Sequence, residues 1–321
     1  MSPGSGQGWS AGLDIGGTKV LGVLLDGAGE VRHTVRAATR PGAQGVVGTA
    51  EDVVRRLCRD AGLGLADLLG VGAGVPGLVD PATGTLSHAV NLGIHGREVE
   101  IGAMLGARLD GVRVCVENDL NVAAVGAARV LGLSGDLAFL ALGTGVAAGL
   151  LLGGELRRGR RGAAGEIGHL PYRPDGPACP CGQRGCLELY ASGAALDVAW
   201  PPRNGLPAAA DLFVAAAEGD PRAVEVRDGF ADAVAAAVRL LVLTCDVEHV
   251  VLGGGVADVG EPLLRAVAER SRRQAAGSPF LRSLAVPDRL RLVTRDVPVA
   301  PIGAALSVRP PVPGDPRAVV V

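Results

Sequence analysis

The chain has 321 residues, enough for two α/β domains, and 48% of them are apolar. Its formal charge is −2 at neutral pH, which leaves no electrostatic footprint for a nucleic-acid partner. Glycine is abundant, 50 residues without a collagen period, so tight turns and close backbone approach to ligands are expected.

Residues 1–10 read as a disordered N-terminus. They have neither a charged start nor an apolar core, so no secretory leader is expected and the chain reads as cytoplasmic. Strands are predicted over 11–15, 20–25 and 31–37. Gly16, Gly17, Thr18 and Lys19 join the first two, and Asp26-Gly27 turns the second into the third. Residues 46–57 carry helical spacing, with Val46, Val53, Val54 and Leu57 on one face. Further strands are expected at 68–75 and 112–116. Glu117, Asn118 and Asp119 then lead into a helix over 122–130, where Asn and Asp fit an N-cap. Strands at 137–142 and 148–152 flank Gly143-Thr144-Gly145. The window 137–154 carries no charge, but its glycines suit two buried strands around a turn and not a membrane span. Helices follow over 207–217 and 222–243. A strand at 250–252 ends in Gly253-Gly254-Gly255. A last strand at 291–294, a helix from 302 to 307 and a proline-rich, non-helical tail close the chain. Each half thus begins strand, glycine turn, strand, although no close internal sequence repeat is visible.

The glycine turns are the candidate phosphate sites. In Asp14-Ile15-Gly16-Gly17-Thr18-Lys19, backbone N–H groups can face an anion unobstructed. Thr18 adds a hydroxyl donor, Lys19 (the only lysine) a positive charge, and Asp14 a carboxylate able to hold hydrated magnesium. Alone this is equally an ordinary hairpin turn; the later Gly143-Thr144-Gly145 gives it a counterpart. No Walker motif is present, so a P-loop NTPase is not expected. Gly72, Gly74 and Gly77 match the dinucleotide spacing, but Pro76 and Pro81 bar the helix that pattern requires. In Glu117-Asn118-Asp119-Leu120-Asn121, Asp119 stands at a strand end and can accept a proton from a substrate hydroxyl. Capping alone would explain one of these polar residues, not all of them. Arg157, Arg158, Arg160 and Arg161 read as a solvated loop.

His169, Cys179, Cys181 and Cys186 place one imidazole and three thiols where they can close a tetrahedral zinc site. In a reducing compartment clustered cysteines point to metal before disulfide, and Cys179 with Cys181 would make a strained pair. Four protein ligands leave no open position, so the zinc is expected to be structural. Glu166 and Glu188 bracket the cluster, which suggests that the metal shapes a binding loop. Cys58, Cys115 and Cys245 lie in apolar contexts and read as buried spectators.

In order, these motifs resemble the ROK family of repressors, open reading frames and sugar kinases, over residues 11–307, and most of all its bacterial glucokinases. The Asp-Ile-Gly-Gly-Thr-Lys, Gly-Val-Pro-Gly, Glu-Asn-Asp-x-Asn, Leu-Gly-Thr-Gly, Gly-Glu-Ile-Gly-His and Cys-x-Cys-Gly-x-x-Gly-Cys-Leu-Glu segments carry the likeness. The resemblance implies the actin-like, hexokinase-type ATPase fold, with two α/β domains closing an interdomain cleft over a sugar and ATP. The first domain is expected over 11–118 plus 298–321, the second over 119–297. By the same resemblance Asp119 is the general base toward the 6-hydroxyl of a hexose, glucose first, with MgATP as donor. Asn91, Asn118, Glu166, His169 and Glu188 are the implied sugar ligands. Gly16, Gly17, Thr18, Lys19, Asp14, Gly143, Thr144 and Gly145 are implied at the phosphates and Gly253, Gly254 and Gly255 at adenosine. Zinc on His169, Cys179, Cys181 and Cys186, and a homodimer or homotetramer, complete the expectation.

Two departures bear on this reading. The family's second phosphate turn continues with three glycines in a row, whereas this chain has Ala147, Ala148 and Gly149 after Val146. An alanine forced to positive φ would cost about 1 kcal/mol or more and shift the loop, so the departure concerns ATP handling. The family's glucokinases often carry an aromatic after Asn-Leu-Gly, and here that residue is Ile94. N-acetylmannosamine, fructose, mannose and allose are the alternative acceptors, and a non-catalytic sugar sensor is the alternative role. The repressors' added helix-turn-helix domain is not expected, because the first strand begins within about eleven residues.

Overall fold

The computed structural model describes residues 8–96, 98–202 and 205–310. The expected disorder over 1–7 and the expected tail from 311 onward lie outside the described residues. Trp9 and Ser10, expected to be disordered, instead open the first strand.

In chain order the elements are β1 (Trp9–Ile15), β2 (Lys19–Leu25), β3 (Val31–Ala38), α1 (Ala43–Asp60), β4 (Leu68–Val75), β5 (Leu78–Asp80), β6 (Thr85–Ser87), α2 (Ile101–Arg108), β7 (Val114–Asn118) and α3 (Asp119–Leu131). There follow β8 (Leu137–Leu142), β9 (Val146–Leu152), β10 (Glu155–Leu156), α4 (Glu188–Ala191), α5 (Gly193–Ala199), α6 (Ala208–Ala217) and α7 (Pro221–Cys245). The chain closes with β11 (His249–Gly253), α8 (Glu261–Ala275), α9 (Pro279–Ser283), β12 (Leu290–Leu292) and α10 (Val299–Ser307). No helix among the described residues is long and apolar enough to cross a membrane.

The chain divides into two compact units. The first holds residues up to 134, 154–164 and 298 onward; the second holds 135–153 and 165–297. In the first unit the strand order is β3-β2-β1-β4-β7, with β1, β4 and β7 parallel and β2 and β3 antiparallel. One face of that sheet is covered by the apolar sides of α1 and α2, through Val46, Val53, Leu57, Ile101 and Leu105. Helix α10 lies against β1 and β4, and α3 packs on α10.

That packing is made backbone to backbone. A Cβ on Gly12 would lie 1.9 Å from the Pro301 carbonyl oxygen, and one on Gly72 would lie 1.7 Å from that of Ala304. At the helix crossing a Cβ on Gly126 would lie 1.8 Å from the Val299 oxygen, and one on Gly303 would lie 1.8 Å from the Val122 oxygen. Glycine is the only residue such distances admit. They also explain where the units divide. The expected boundary after residue 118 would have parted α3 from α10; the glycine-mediated crossing instead carries the first unit on to Ser134.

In the second unit the strands run β9-β8-β11-β12, matching β2-β1-β4-β7 of the first in order and direction. Its core collects Trp200, Leu212, Phe230, Val238 and Leu241 beneath the sheet. This repeated topology is the actin-like, hexokinase-type α/β architecture. The sequence expectation omitted α2 and α8. Gly102 and Gly106 weaken the helical signal of α2, and α8 spreads Arg265, Arg270, Arg272 and Arg273 over most of its surface.

Substituting Gly303 with valine is expected to destabilise the fold by about 3 kcal/mol or more, because the opposing atoms are backbone and cannot repack. Thermal unfolding checks this; an unchanged melting temperature would contradict the crossing as described.

Candidate functional site

In the first unit the registers of β1, β4 and β7 align three strand ends. Asp14 pairs with Gly74, and Gly74 pairs with Glu117, so Asp14 and Glu117 stand on either side of a glycine where parallel strands open. Burial pushes the Asp14 carboxyl up and Lys19 draws it back down. The turn after Asp14 is closed by the Gly16 N–H donating to the Lys19 carbonyl at 2.9 Å. The Thr39 hydroxyl holds it from outside, donating to the Gly16 carbonyl at 2.6 Å. Asn91 belongs to the same place: a Cβ on Gly17 would lie 2.5 Å from its carbonyl oxygen.

The five-residue run after β7 separates into distinct roles. Asn118 is the N-cap of α3, its Oδ1 accepting from the Leu120 N–H at 3.0 Å and the Asn121 N–H at 3.4 Å. Its Nδ2 donates to the Gly77 carbonyl at 3.3 Å. Glu117, only 3% exposed, accepts from the Asn118 N–H at 2.9 Å, from Asn121 Nδ2 at 2.8 Å and from Arg158 Nε at 2.7 Å. Asp119 is therefore not the cap. It opens α3, with Oδ1 accepting from the Leu120 N–H at 3.0 Å, where the helix dipole favours a charged carboxylate. The sequence puts Arg158 in a solvated loop; in the structure it is the ionic partner of a buried carboxylate. No local signal reveals this, because the pair spans 41 residues.

In the second unit Gly143, Thr144 and Gly145 turn β8 into β9, with the Gly143 N–H donating to the Gly145 carbonyl at 3.1 Å. Ala147 and Ala148 lie within β9, opposite Ala141 and Leu140. Neither has positive φ; among the described residues the non-glycine cases are His88, Asp110, Asp246 and Ala285. The two alanines thus impose no backbone strain beside the turn. Gly253 pairs with Ala141, so the triple glycine also lies where parallel strands end. Packing accounts for two of the three: a Cβ on Gly253 would lie 2.3 Å from the Phe139 ring, and one on Gly254 would lie 2.7 Å from the Leu142 carbonyl oxygen.

The segment carrying Glu166 and His169 is laid directly on β9. A Cβ on Gly165 would lie 1.8 Å from the Ala148 carbonyl oxygen, and one on Gly168 would lie 2.0 Å from that of Val146. The Ala148 N–H donates to the Gly165 carbonyl at 2.8 Å. The ligand atoms of His169, Cys179, Cys181 and Cys186 all lie within 4.8 Å of one another. His169 Nδ1 is buried without a hydrogen-bond partner, and 3.6 Å from Glu188 Oε1. Its Nε2 lies 4.0 Å from Glu166. Burial and the neighbouring thiols Cys179 and Cys181 push the Cys186 thiol up to about 12. The Gln183 N–H and the Cys179 thiol bring that of Cys181 down to about 7. An orphaned imidazole nitrogen beside three crowded thiols is a donor set that fits a tetrahedral, thiophilic cation.

Two supports were not foreseen. Gln183 Nε2 donates to the His169 carbonyl at 3.1 Å and contacts Cys181 Sγ at 3.6 Å. Arg173 stacks on the rings of Tyr172 and Tyr190, 5.8 and 5.2 Å from their centres. Glu188 ties the cluster to the second glycine turn. Its Oε1 accepts from the Cys179 thiol at 3.6 Å, and a Cβ on Gly145 would lie 2.8 Å from its Oε2.

Residues 10–286 match the ROK family. The chain is 32% identical over 286 residues to a glucokinase of Halalkalibacterium halodurans, covering 81% of this chain and 84% of that one. It is also 32% identical over 263 residues to an N-acetylmannosamine kinase of Yersinia pseudotuberculosis, covering 80% and 86%. Among solved structures it is similar to a ROK family glucokinase from Streptomyces griseus in complex with glucose and AMPPNP. That match has a TM-score of 0.73 and 33% identity, and covers 93% of this chain and 98% of that one.

In metal-free protein, iodoacetamide is expected to modify Cys181 first, its rate rising through a pH near the thiol value of about 7. Cys186 is expected to stay unmodified up to about pH 9, because only its thiolate reacts. Peptide mass spectrometry across a pH series checks the order; equal rates at the two cysteines would contradict it.

Proposed function

The chain belongs to the ROK family, and from that premise we propose that it transfers the γ-phosphoryl group of ATP to the 6-hydroxyl of a hexose, glucose first. The observation that carries this reading is the start of α3. Asn118 takes over capping, Glu117 is held by structural bonds at the strand position that faces Asp14 across Gly74, and Asp119 opens the helix two residues further on. Glucose as acceptor is supported by the halodurans glucokinase and by the griseus enzyme, which was solved with glucose and AMPPNP.

Asp119 accepts the 6-hydroxyl proton as that oxygen attacks the γ-phosphorus; the bond to the bridging oxygen breaks and ADP departs. Asn91, Asn118, Glu166, His169 and Glu188 are the ligands proposed for the sugar hydroxyls. The phosphates are received by Gly16, Gly17, Thr18 and Lys19 and by Gly143, Thr144 and Gly145, and the adenosine by Gly253, Gly254 and Gly255. Asp14 would hold the magnesium that accompanies ATP; its burial raises its carboxyl, and a divalent neighbour offsets that cost. His169, Cys179, Cys181 and Cys186 would hold zinc, which supplies structure and no open coordination position. Most of the rate then comes from positioning and charge neutralisation. Ala147 and Ala148, unstrained in β9, leave ATP use intact.

A second acceptor, N-acetylmannosamine, is supported by the Yersinia relative, while Ile94, in place of the aromatic common in the family's glucokinases, weighs against glucose without naming another hexose. A sensor without catalysis is disfavoured by the presence of Asp14, Lys19 and Asp119 together.

Asp119→Asn is expected to lower kcat by about a hundredfold to ten-thousandfold, the range lost with a general base. Its glucose affinity, read by calorimetry, is expected to stay within about threefold of the parent, since the base acts in the transition state. Near-parental turnover would remove Asp119 from the role. Stripping zinc with a chelator is expected to weaken glucose binding by about tenfold or more, while ATP binding is held. Equal loss of both would indicate unfolding, and no loss would defeat the metal's role in shaping the sugar wall.

A further inference from the structure

We propose that Arg158 is a positioning residue for Asp119, acting through the buried carboxylate of Glu117; the inference rests on Asp119 being the base. Glu117 is the most deeply buried acidic residue of its unit. An ionised carboxylate in such a place needs a compensating charge and a full set of donors. Both are present. Arg158 Nε donates to Oε2 at 2.7 Å, while the Asn118 N–H and Asn121 Nδ2 donate to Oε1 at 2.9 and 2.8 Å. The two groups held by Oε1 lie on either side of Asp119 in the chain. Asn118 is the cap whose Oδ1 sets the first turn of α3, and Asn121 lies within that turn. The guanidinium therefore fixes one oxygen of Glu117, and the other holds the backbone N–H of Asn118 on one side of the base and the side-chain amide of Asn121 on the other.

Arg158 is itself placed for this and not free to wander. Its carbonyl accepts from the Ala164 N–H at 3.1 Å, which closes the loop 158–164 on itself. Its side chain is 27% exposed against 4% for Glu117, so the pair is anchored on its buried member and is not a solvent-screened surface contact. Arg157, Arg160 and Arg161 have no comparable buried partner among the described residues. The distinction within the arginine run is thus one of geometry, not of composition.

Loss of Arg158 leaves Glu117 buried without its countercharge, which loosens the grip on Asn118 and Asn121 and lets the carboxylate of Asp119 wander. A misplacement of this kind costs up to about a hundredfold in rate without touching substrate affinity directly. The test uses the full chain with Arg158→Gln, Arg158→Lys, Glu117→Gln and the Glu117→Gln/Arg158→Gln pair. Each variant is measured for kcat by ADP release at saturating glucose and ATP. Glucose calorimetry counts the folded sites, so that kcat is expressed per competent site. Arg158→Gln is expected to lose about tenfold to a hundredfold in kcat with glucose affinity within about threefold. Arg158→Lys is expected to recover much of that loss by restoring the charge. The paired variant is expected to be no slower than Arg158→Gln alone, because the stranded charge is removed with its partner. A parental kcat per site in Arg158→Gln, or losses that multiply in the paired variant, would overturn the proposal. So would a fall in glucose affinity equal to that in kcat. Asp119→Asn run alongside separates the two readings. If it is inactive while Arg158→Gln is normal, only the positioning role fails; if it is active, the base assignment fails and this role with it.

Discussion

The arrangement depends first on how closely α10 approaches the first sheet and α3. Four glycines, at 12, 72, 126 and 303, let carbonyl oxygens occupy positions where any side chain would begin. The consequence is a helix, α3, whose axis is fixed by backbone contact and not by interdigitating side chains, which could repack. A helix held this way delivers its first residue to a fixed point, and that residue is Asp119. The same packing carries α3 with the first unit, although in sequence it directly precedes the strands of the second.

Around that fixed point the carboxylates divide labour by environment. Glu117 and Asp119 are two residues apart, yet one is enclosed by three donors and the other stands at a helix N-terminus. The first is a structural charge; the second opens α3, its Oδ1 accepting from the Leu120 N–H. The second unit repeats the strand order of the first, so its glycine turn arises at the equivalent strand end. It then adds the thiol cluster. There the constraint is again glycine against backbone, with Gly165 and Gly168 laid on β9. Glu188 completes the link by touching both His169 and the second turn.

Much of this was legible in the sequence. Strands β4 and β8 fall where uncharged apolar runs and glycine turns put them, and the ligand cluster follows from one histidine and three cysteines in a short span. What escaped was set by tertiary structure. The Glu117–Arg158 pair joins residues 41 apart, with no periodicity to announce it. The topological repeat shows in the sequence only as the strand, glycine turn, strand that opens each half; the rest has no echo, because the strand order can be met by many apolar sequences. Ala147 and Ala148 looked like a disturbance of a phosphate turn; their place in β9 makes them ordinary strand residues. The capping expectation for Asn118 and Asp119 was half right in a useful way, since Asn118 alone takes it.

The account reduces to one claim, that this fold phosphorylates a hexose from ATP. The most direct measurement is coupled ADP release with MgATP across glucose, mannose, fructose, allose and N-acetylmannosamine. The account predicts release that requires a hexose, with the highest kcat/KM for glucose. ADP release that does not depend on any hexose, or none at all with the whole panel, would contradict it.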